Sequence, residues 1–266
     1  QIMKLPFKRL VALFGAIVLA LPLLASAQKS PTPKATVVLV HGAFADSSSW
    51  NGVIQRLHAK GYTVVAAANE LRSVKSDAAE VASVLRSIQG KVVLVGHSYG
   101  GSVISAAASG LDNVKALVYV AAFAPDVGES AGELAGRFPG SSLGPALSPP
   151  VALASGGNDL YIQQDKFRAQ FAADVPAAQA QLMAVGQRPI TDIALHETST
   201  SAAWKTIPSW FVYGSADLNI PPAAQAFMAE RAHSHKTVVI KGASHVVMVS
   251  HPAEVAALVE QAAQAK

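Results

Sequence analysis

The sequence predicts an α/β protein: a doubly wound, mostly parallel sheet with an inserted, mainly helical cap. Three observations predict it. Short apolar runs recur between amphipathic helical patterns. The runs are apolar throughout instead of alternating, as expected of strands covered on both faces. The rhythm lapses over residues 124–205 and then resumes. Repeated β-α-β units call for right-handed crossovers within one sheet.

Ahead of that rhythm, residues 1–27 read as a cleavable secretory signal. Lys4, Lys8 and Arg9 form a basic start, an apolar run from Leu10 to Leu24 follows, and Ala25-Ser26-Ala27 supplies the small-x-small cleavage pattern. The run is shorter than the ~20 residues of a bilayer helix. The expectation is therefore cleavage after Ala27, a periplasmic or secreted product, and no stable membrane association afterwards. The formal charge of +4 would fall to +1 with the leader gone, since it holds three basic residues and no acid. That balance gives no case for nucleic-acid binding. The absence of cysteine excludes disulfides, a thiol nucleophile and a thiolate metal site. With half of the residues apolar and 14% charged, the chain has ample core and is not disordered.

A polar linker (28–34) leads into the first part of the core, 28–123. Strands are expected at 35–41, 62–68, 91–95 and 114–123, and helices at 50–60, 77–88 and 98–109. The helix at 50–60 rests on the three/four spacing of Trp50, Val53, Ile54 and Leu57 and stops at Gly61. Within the cap, 124–205, Pro, Gly and Ser are dense between 139 and 150, and the segments after Asp165 look helical without intervening strands. The second part of the core, 206–266, holds strands at 208–213 and 236–241 and helices at 222–231 and 252–264. There is no internal repeat.

The chemistry gathers on Gly96-His97-Ser98-Tyr99-Gly100-Gly101, which follows an apolar strand and opens a small-residue helix. That is the context of a nucleophile elbow, where a tight turn presents a serine. A serine hydroxyl needs a base. His245, in Gly242-Ala243-Ser244-His245 just after the final strand, sits where strand carboxyl ends gather. His58, His233 and His235 read as solvated, His251 as a helix start and His97 as structural; no carboxylate motif accompanies His233 and His235 to suggest a metal. The imidazole needs an acid to fix its tautomer. Asp217, past a strand and 28 residues before His245, is favoured on the order Ser…Asp…His; Asp126, past the 114–123 strand, competes for the role. The oxyanion hole would be the Tyr99 amide plus that of Ala43 or Phe44 in His41-Gly42-Ala43-Phe44.

Together these residues resemble the α/β-hydrolase superfamily over essentially the whole mature chain, and most closely its small bacterial esterase-like members, related to plant methylesterases and hydroxynitrile lyases. His41-Gly42-Ala43 with Trp50, the Ser98 motif, the Asp217 loop and the Gly242–His245 loop carry the likeness. The resemblance implies neither metal nor organic cofactor. Hydroxynitrile lyases of this type have a lysine directly after the catalytic histidine, where Val246 stands here, which argues against cyanohydrin cleavage.

The expected reaction is cleavage of a small-molecule carboxylic ester with an apolar acyl or aryl group, through an acyl-enzyme. Phe44, Phe138, Tyr161, Phe167, Phe171 and Trp204, with the ring of Tyr99, are the candidate pocket walls. No long cationic patch points to a carboxylated or phosphorylated substrate. The alternatives are lactone or C–C hydrolysis or acyl transfer on the same triad, a binding protein with an idle triad, and a membrane-attached structural protein.

Overall fold

A computed structural model of the chain describes residues 33–265; the expected leader lies outside them. In chain order come β1 (Thr36–Val40), a 3-10 turn (Ser47–Trp50), α1 (Asn51–Ala59), β2 (Val64–Ala67), α2 (Val74–Ser87), β3 (Val92–His97), α3 (Gly100–Ala107) and β4 (Val114–Val120). Next come α4 (Ala131–Arg137), α5 (Leu143–Ala146), β5 (Val151–Ala152), β6 (Asn158–Leu160), α6 (Gln164–Phe171), α7 (Ala177–Gly186), β7 (Ile190–Thr191) and α8 (Asp192–His196). The chain closes with β8 (Ser209–Gly214), α9 (Pro222–Arg231), β9 (Lys236–Ile240), α10 (Val247–Ser250) and α11 (Pro252–Gln264).

Six strands form one sheet in the order β2-β1-β3-β4-β8-β9, every neighbouring pair parallel. The apolar runs account for the centre: β3 and β8 are buried along their whole length. β9 departs from that pattern. It is the last strand at one edge, and Lys236, Thr237 and Val239 are exposed. Helices flank the sheet: α11 lies on β3, β4 and β8 and packs on α1, and α3 lies on β1, β3 and β4 and packs on α2.

Two helix starts differ from the sequence expectation, each for a local reason. α2 begins at Val74, ahead of 77, because the Ser73 hydroxyl caps it by accepting the Ser76 N–H at 3.0 Å. The polar first turn Lys75-Ser76-Asp77 hides that start from an apolar pattern. α3 begins at Gly100 instead of 98 because Ser98 holds a positive φ of 53° and cannot be helical.

Between β4 and β8 lie α4 to α8 and, against expectation, a small antiparallel sheet in the order β5-β6-β7. Strands of two or three residues are too short to show a period. They are pinned instead by polar contacts: the Asn158 N–H and side-chain amide donate to the Asp192 carboxylate at 2.9 and 2.8 Å. Ion pairs tie this region to the core. Arg72 Nη1 meets Asp159 Oδ1 at 2.7 Å, and Glu129 receives Arg231 at 2.7 Å, with Arg137 of the same region adding a pair at 3.0 Å.

Burial alone would push the Glu129 carboxyl up, but bonds from Arg231, Arg137 and the Asp126 N–H hold it down at about 2. A depressed carboxyl stabilises the fold above its unfolded value near 4.5 and loses that contribution as pH falls toward about 2. Glu129→Gln should therefore lower the melting temperature at neutral pH, and the gap from the parent should close through that acidic window. A gap independent of pH would mean that the pairing contributes nothing through charge.

Because all six strands run parallel, their carboxyl ends share one edge, and the loops after β1, β3, β8 and β9 meet there. Those loops carry Ala43, Ser98, Asp217 and His245.

Candidate active site

Ser98 leaves β3 in the left-handed region, a conformation that costs about 1–3 kcal/mol and persists only where the surroundings over-determine it. Here they do. Its N–H donates to the carbonyls of Val120 and Ala121 at 3.2 and 3.1 Å, and its carbonyl accepts from Gly101 and Phe123 at 2.9 and 3.1 Å. The turn also needs bare backbone around it. A Cβ on Gly101 would lie 2.1 Å from the Phe123 carbonyl oxygen, and one on Gly42 would lie 2.6 Å from Ser98 Cβ.

His245 stands on the turn between β9 and α10. Its Nε2 is 2.8 Å from Ser98 Oγ and its Nδ1 2.7 Å from Asp217 Oδ2. Asp217 is fixed in turn: Oδ1 accepts the N–H groups of Asn219 (2.8 Å) and Ile220 (3.0 Å), and Oδ2 accepts the Gln225 amide (2.9 Å). An ionised carboxylate can only accept. It therefore fixes the proton of His245 on Nδ1 and leaves Nε2 as an acceptor facing the serine hydroxyl. Asp126, the competing acid, is engaged elsewhere, with Oδ1 2.5 Å from Lys205 Nζ and 2.6 Å from the Val127 N–H. The structure joins His245 to Asp217.

Of the two candidate oxyanion amides in the first loop, Phe44 (φ 59°) donates its N–H to the Arg188 carbonyl at 2.9 Å. Among the described residues, the Ala43 and Tyr99 amides have no protein acceptor and remain free on the loops that flank Ser98. The Tyr99 ring is turned toward α2, where its hydroxyl donates to Asp77 Oδ2 at 2.9 Å.

His97 has the structural role expected of it, through a partner that the sequence did not reveal. Its Nε2 is 3.2 Å from the His245 carbonyl, so it carries a proton there and ties the base's main chain to the elbow. Burial, assisted by the neighbouring His245, holds His97 well below the ordinary histidine value, and burial likewise lowers His41. Both are thereby biased toward the neutral form. Loss of activity on acidification should therefore not follow protonation of His97 or His41, whose neutral forms burial favours. A kcat/KM profile for a neutral ester tests this, and two ionisations on the acid limb would bring His97 or His41 into the titration.

With this geometry established, the family is decided by similarity along the chain: residues 37–258 match the model of the alpha/beta hydrolase family. The chain belongs to the alpha/beta hydrolase family. As an alpha/beta hydrolase it is 28% identical over 253 residues to the alpha/beta hydrolase nvfD of Aspergillus novofumigatus, covering 86% of this chain and 97% of that one. Among solved structures it is similar to an extracellular alpha/beta-hydrolase from a Paenibacillus species (25% identity, TM-score 0.70, 87% of this chain and 100% of the other). It also shares its fold with polyneuridine aldehyde esterase (20%, TM-score 0.74, 86% and 99%) and a pyrethroid hydrolase from Sphingobium faniae (22%, TM-score 0.68, 87% and 98%). The likeness to plant methylesterase-type members thus holds at the level of family and fold.

This alpha/beta hydrolase keeps its hydrogen-bonded set closed, with Ser98 7% exposed and His245 fully buried. Three of the six expected pocket aromatics gather beside it, Phe171 directly and Phe44 and Phe167 by way of Phe171. The Phe171 ring lies 5.2 Å from the His245 ring, with Phe44 at 6.1 Å and Phe167 at 5.0 Å from Phe171. The others are placed elsewhere. Phe138 packs on Phe227 at 5.5 Å, Trp204 donates its indole N–H to the Pro125 carbonyl and lies under Arg231, and Tyr161 is half-buried within the cap. Val246 is wholly buried where the lyases carry lysine. Among the described residues, no three His, Asp or Glu side chains converge as metal ligands.

A cavity of about 350 Å³ opens beside Phe44, lined also by Ala45, Gln179, Leu182, Met183 and Val249. None of the α7 residues was singled out by the sequence. Their signal was legible, because Ala180, Met183 and Ala184 take the i, i+3, i+4 positions of the inner face and leave Leu182 and Val185 outside it; Leu182 is 75% and Val185 67% exposed.

Proposed function

We propose that the chain is an exported serine esterase that cleaves neutral carboxylic esters with an apolar acyl or aryl group through an acyl-enzyme. One observation carries this reading: the unbroken hydrogen-bonded line from Ser98 Oγ through His245 to Asp217, held on a strained elbow. In the first step Ser98 Oγ bonds to the ester carbonyl carbon while its proton passes to His245 Nε2. Asp217 stabilises the resulting imidazolium, and the Ala43 and Tyr99 amides receive the oxyanion, each worth about 3 kcal/mol. Collapse breaks the bond to the alcohol oxygen, which takes the proton from His245. Water then attacks the acyl group by the same route in reverse, regenerating Ser98 and releasing the acid.

An ester is favoured because an alkoxide leaving group asks least of the general acid. The aromatic set Phe44, Phe167 and Phe171 supports an apolar group near the carbonyl, and the mixed lining of the outer cavity supports a neutral remainder. The name of one solved neighbour, an esterase, supports the same class.

The test is a panel of esters, lactones and thioesters of graded chain length. Esters should turn over fastest. Met183→Ala or Phe171→Ala should reorder the preference among chain lengths by about 1–3 kcal/mol per apolar contact. Turnover confined to lactones or thioesters would overturn the ester reading, and an unchanged order in every such variant would place the pocket elsewhere. Failure of Ser98 to react with a fluorophosphonate would mark the triad as idle.

A further inference from the structure

The cap holds the acid–base pair through one short segment. Gln170, near the end of α6, is buried and donates its side-chain amide to the Leu218 carbonyl at 2.9 Å and to Asn219 Oδ1 at 2.7 Å. Asn219 is the residue whose N–H feeds Asp217 Oδ1 at 2.8 Å. Ser142 completes the grip, donating its hydroxyl to Gln170 Oε1 at 2.8 Å and its N–H to the Leu218 carbonyl at 3.0 Å. One residue on, the Phe171 ring lies against the His245 ring. Three residues further, Asp174 Oδ1 accepts a short hydrogen bond from the hydroxyl of Ser244, the residue directly before His245. Its other oxygen is buried without a hydrogen-bond partner, 3.6 Å from His251 Nδ1.

We propose that cap residues Gln170 and Asp174 are positioning residues for the Asp217–His245 pair, so that the packing of the cap and the placement of the base are coupled. Neither touches the reacting atoms. Each holds a turn on which a member of the pair sits, Gln170 the turn after Asp217 and Asp174 the turn before His245. Specificity and competence are therefore not divided between cap and core: the segment that walls the site with Phe171 also sets the base. This rests on the triad reading above and goes beyond it, because it gives the cap a part in the rate for every substrate.

The experiment uses Asp174→Ala, Ser244→Ala, their double variant, Gln170→Ala and Asp174→Asn, each with kcat corrected for the fraction of serine titrated by a fluorophosphonate. Two esters of different acyl length are compared. Asp174→Ala and Gln170→Ala should each lower kcat about tenfold for both esters, with KM and the ester preference unchanged. Asp174→Asn, which keeps an acceptor for Ser244, should recover most of the loss. The Asp174/Ser244 double variant should be no worse than the poorer single one, as for two residues acting through one contact. The far-downfield proton of His245 Nδ1–H, followed by NMR, should shift or broaden in the alanine variants and return in Asp174→Asn.

Unchanged kcat with altered KM or ester order would overturn the proposal and make the segment a substrate wall. So would a loss that vanishes on correction for titrated serine, which would make its role one of folding alone. The NMR readout depends on the His245–Asp217 contact and not on Ser98. A wrong nucleophile would leave that readout in place, so failure of the triad reading and failure of this proposal are distinguishable.

Discussion

Ser98→Ala should lower kcat by roughly 10⁴- to 10⁶-fold and leave the fold intact. The hydroxyl makes one contact with consequences, the 2.8 Å bond to His245 Nε2, and no other group stands at the elbow to take its place. The main chain of Ser98 is bonded on both sides by Val120, Ala121, Gly101 and Phe123, and these bonds do not need the side chain. Alanine can hold the same positive φ at similar strain. What remains should be the slow hydrolysis supported by binding and by the oxyanion amides alone. The check is kcat/KM on a chromogenic ester, with circular dichroism and a melting curve for the fold. A folded variant that retains more than about a hundredth of the parent rate would remove Ser98 from the chemistry.

Asp217→Asn should cost about 10⁴-fold in kcat, in line with loss of the correct tautomer in a triad of this kind. Asp217 Oδ2 accepts from both His245 Nδ1 and the Gln225 amide. An asparagine there must either present an N–H to His245, which moves the imidazole proton to Nε2 and away from its task, or leave one contact unmade. Asp126→Asn is the informative control. It loosens a partly exposed pair with Lys205, worth about 0–1 kcal/mol of stability, and should leave kcat within about twofold. A greater loss in the Asp126 variant than in the Asp217 variant would reverse the assignment of the acid.

Much of this was legible in the sequence because the fold places its chemistry at the ends of strands. Ser98, Asp217 and His245 each follow an apolar run that could be read as a strand, and a parallel sheet brings such ends to one edge. The cap offered no such regularity. Its three strands are two or three residues long, and its helices α5 and α8 are only four and five residues long. Aromatic type was therefore a poor guide there: Phe171 lies against the base with Phe167 packed on it, while Trp204 and Phe138 secure the cap against Arg231 and Phe227. The choice between Ala43 and Phe44 could not be made from sequence either, since it turns on a hydrogen bond to Arg188, far along the chain. The same holds for Gln225 and His97, whose partners are set by tertiary contact and not by any local motif.

The most direct test of the proposed mechanism is to find the acyl group on the enzyme. The protein is mixed with a p-nitrophenyl ester, quenched in acid within the first turnovers, and its intact mass and peptide masses are recorded. The expected result is one added acyl group on the peptide that carries Ser98, absent from Ser98→Ala and appearing with a burst of p-nitrophenol equal to the titrated serine. An acyl group on another residue, or steady turnover with a clean burst-free start and no adduct even when hydrolysis of the intermediate is slowed by a bulky acyl group, would contradict a serine acyl-enzyme mechanism.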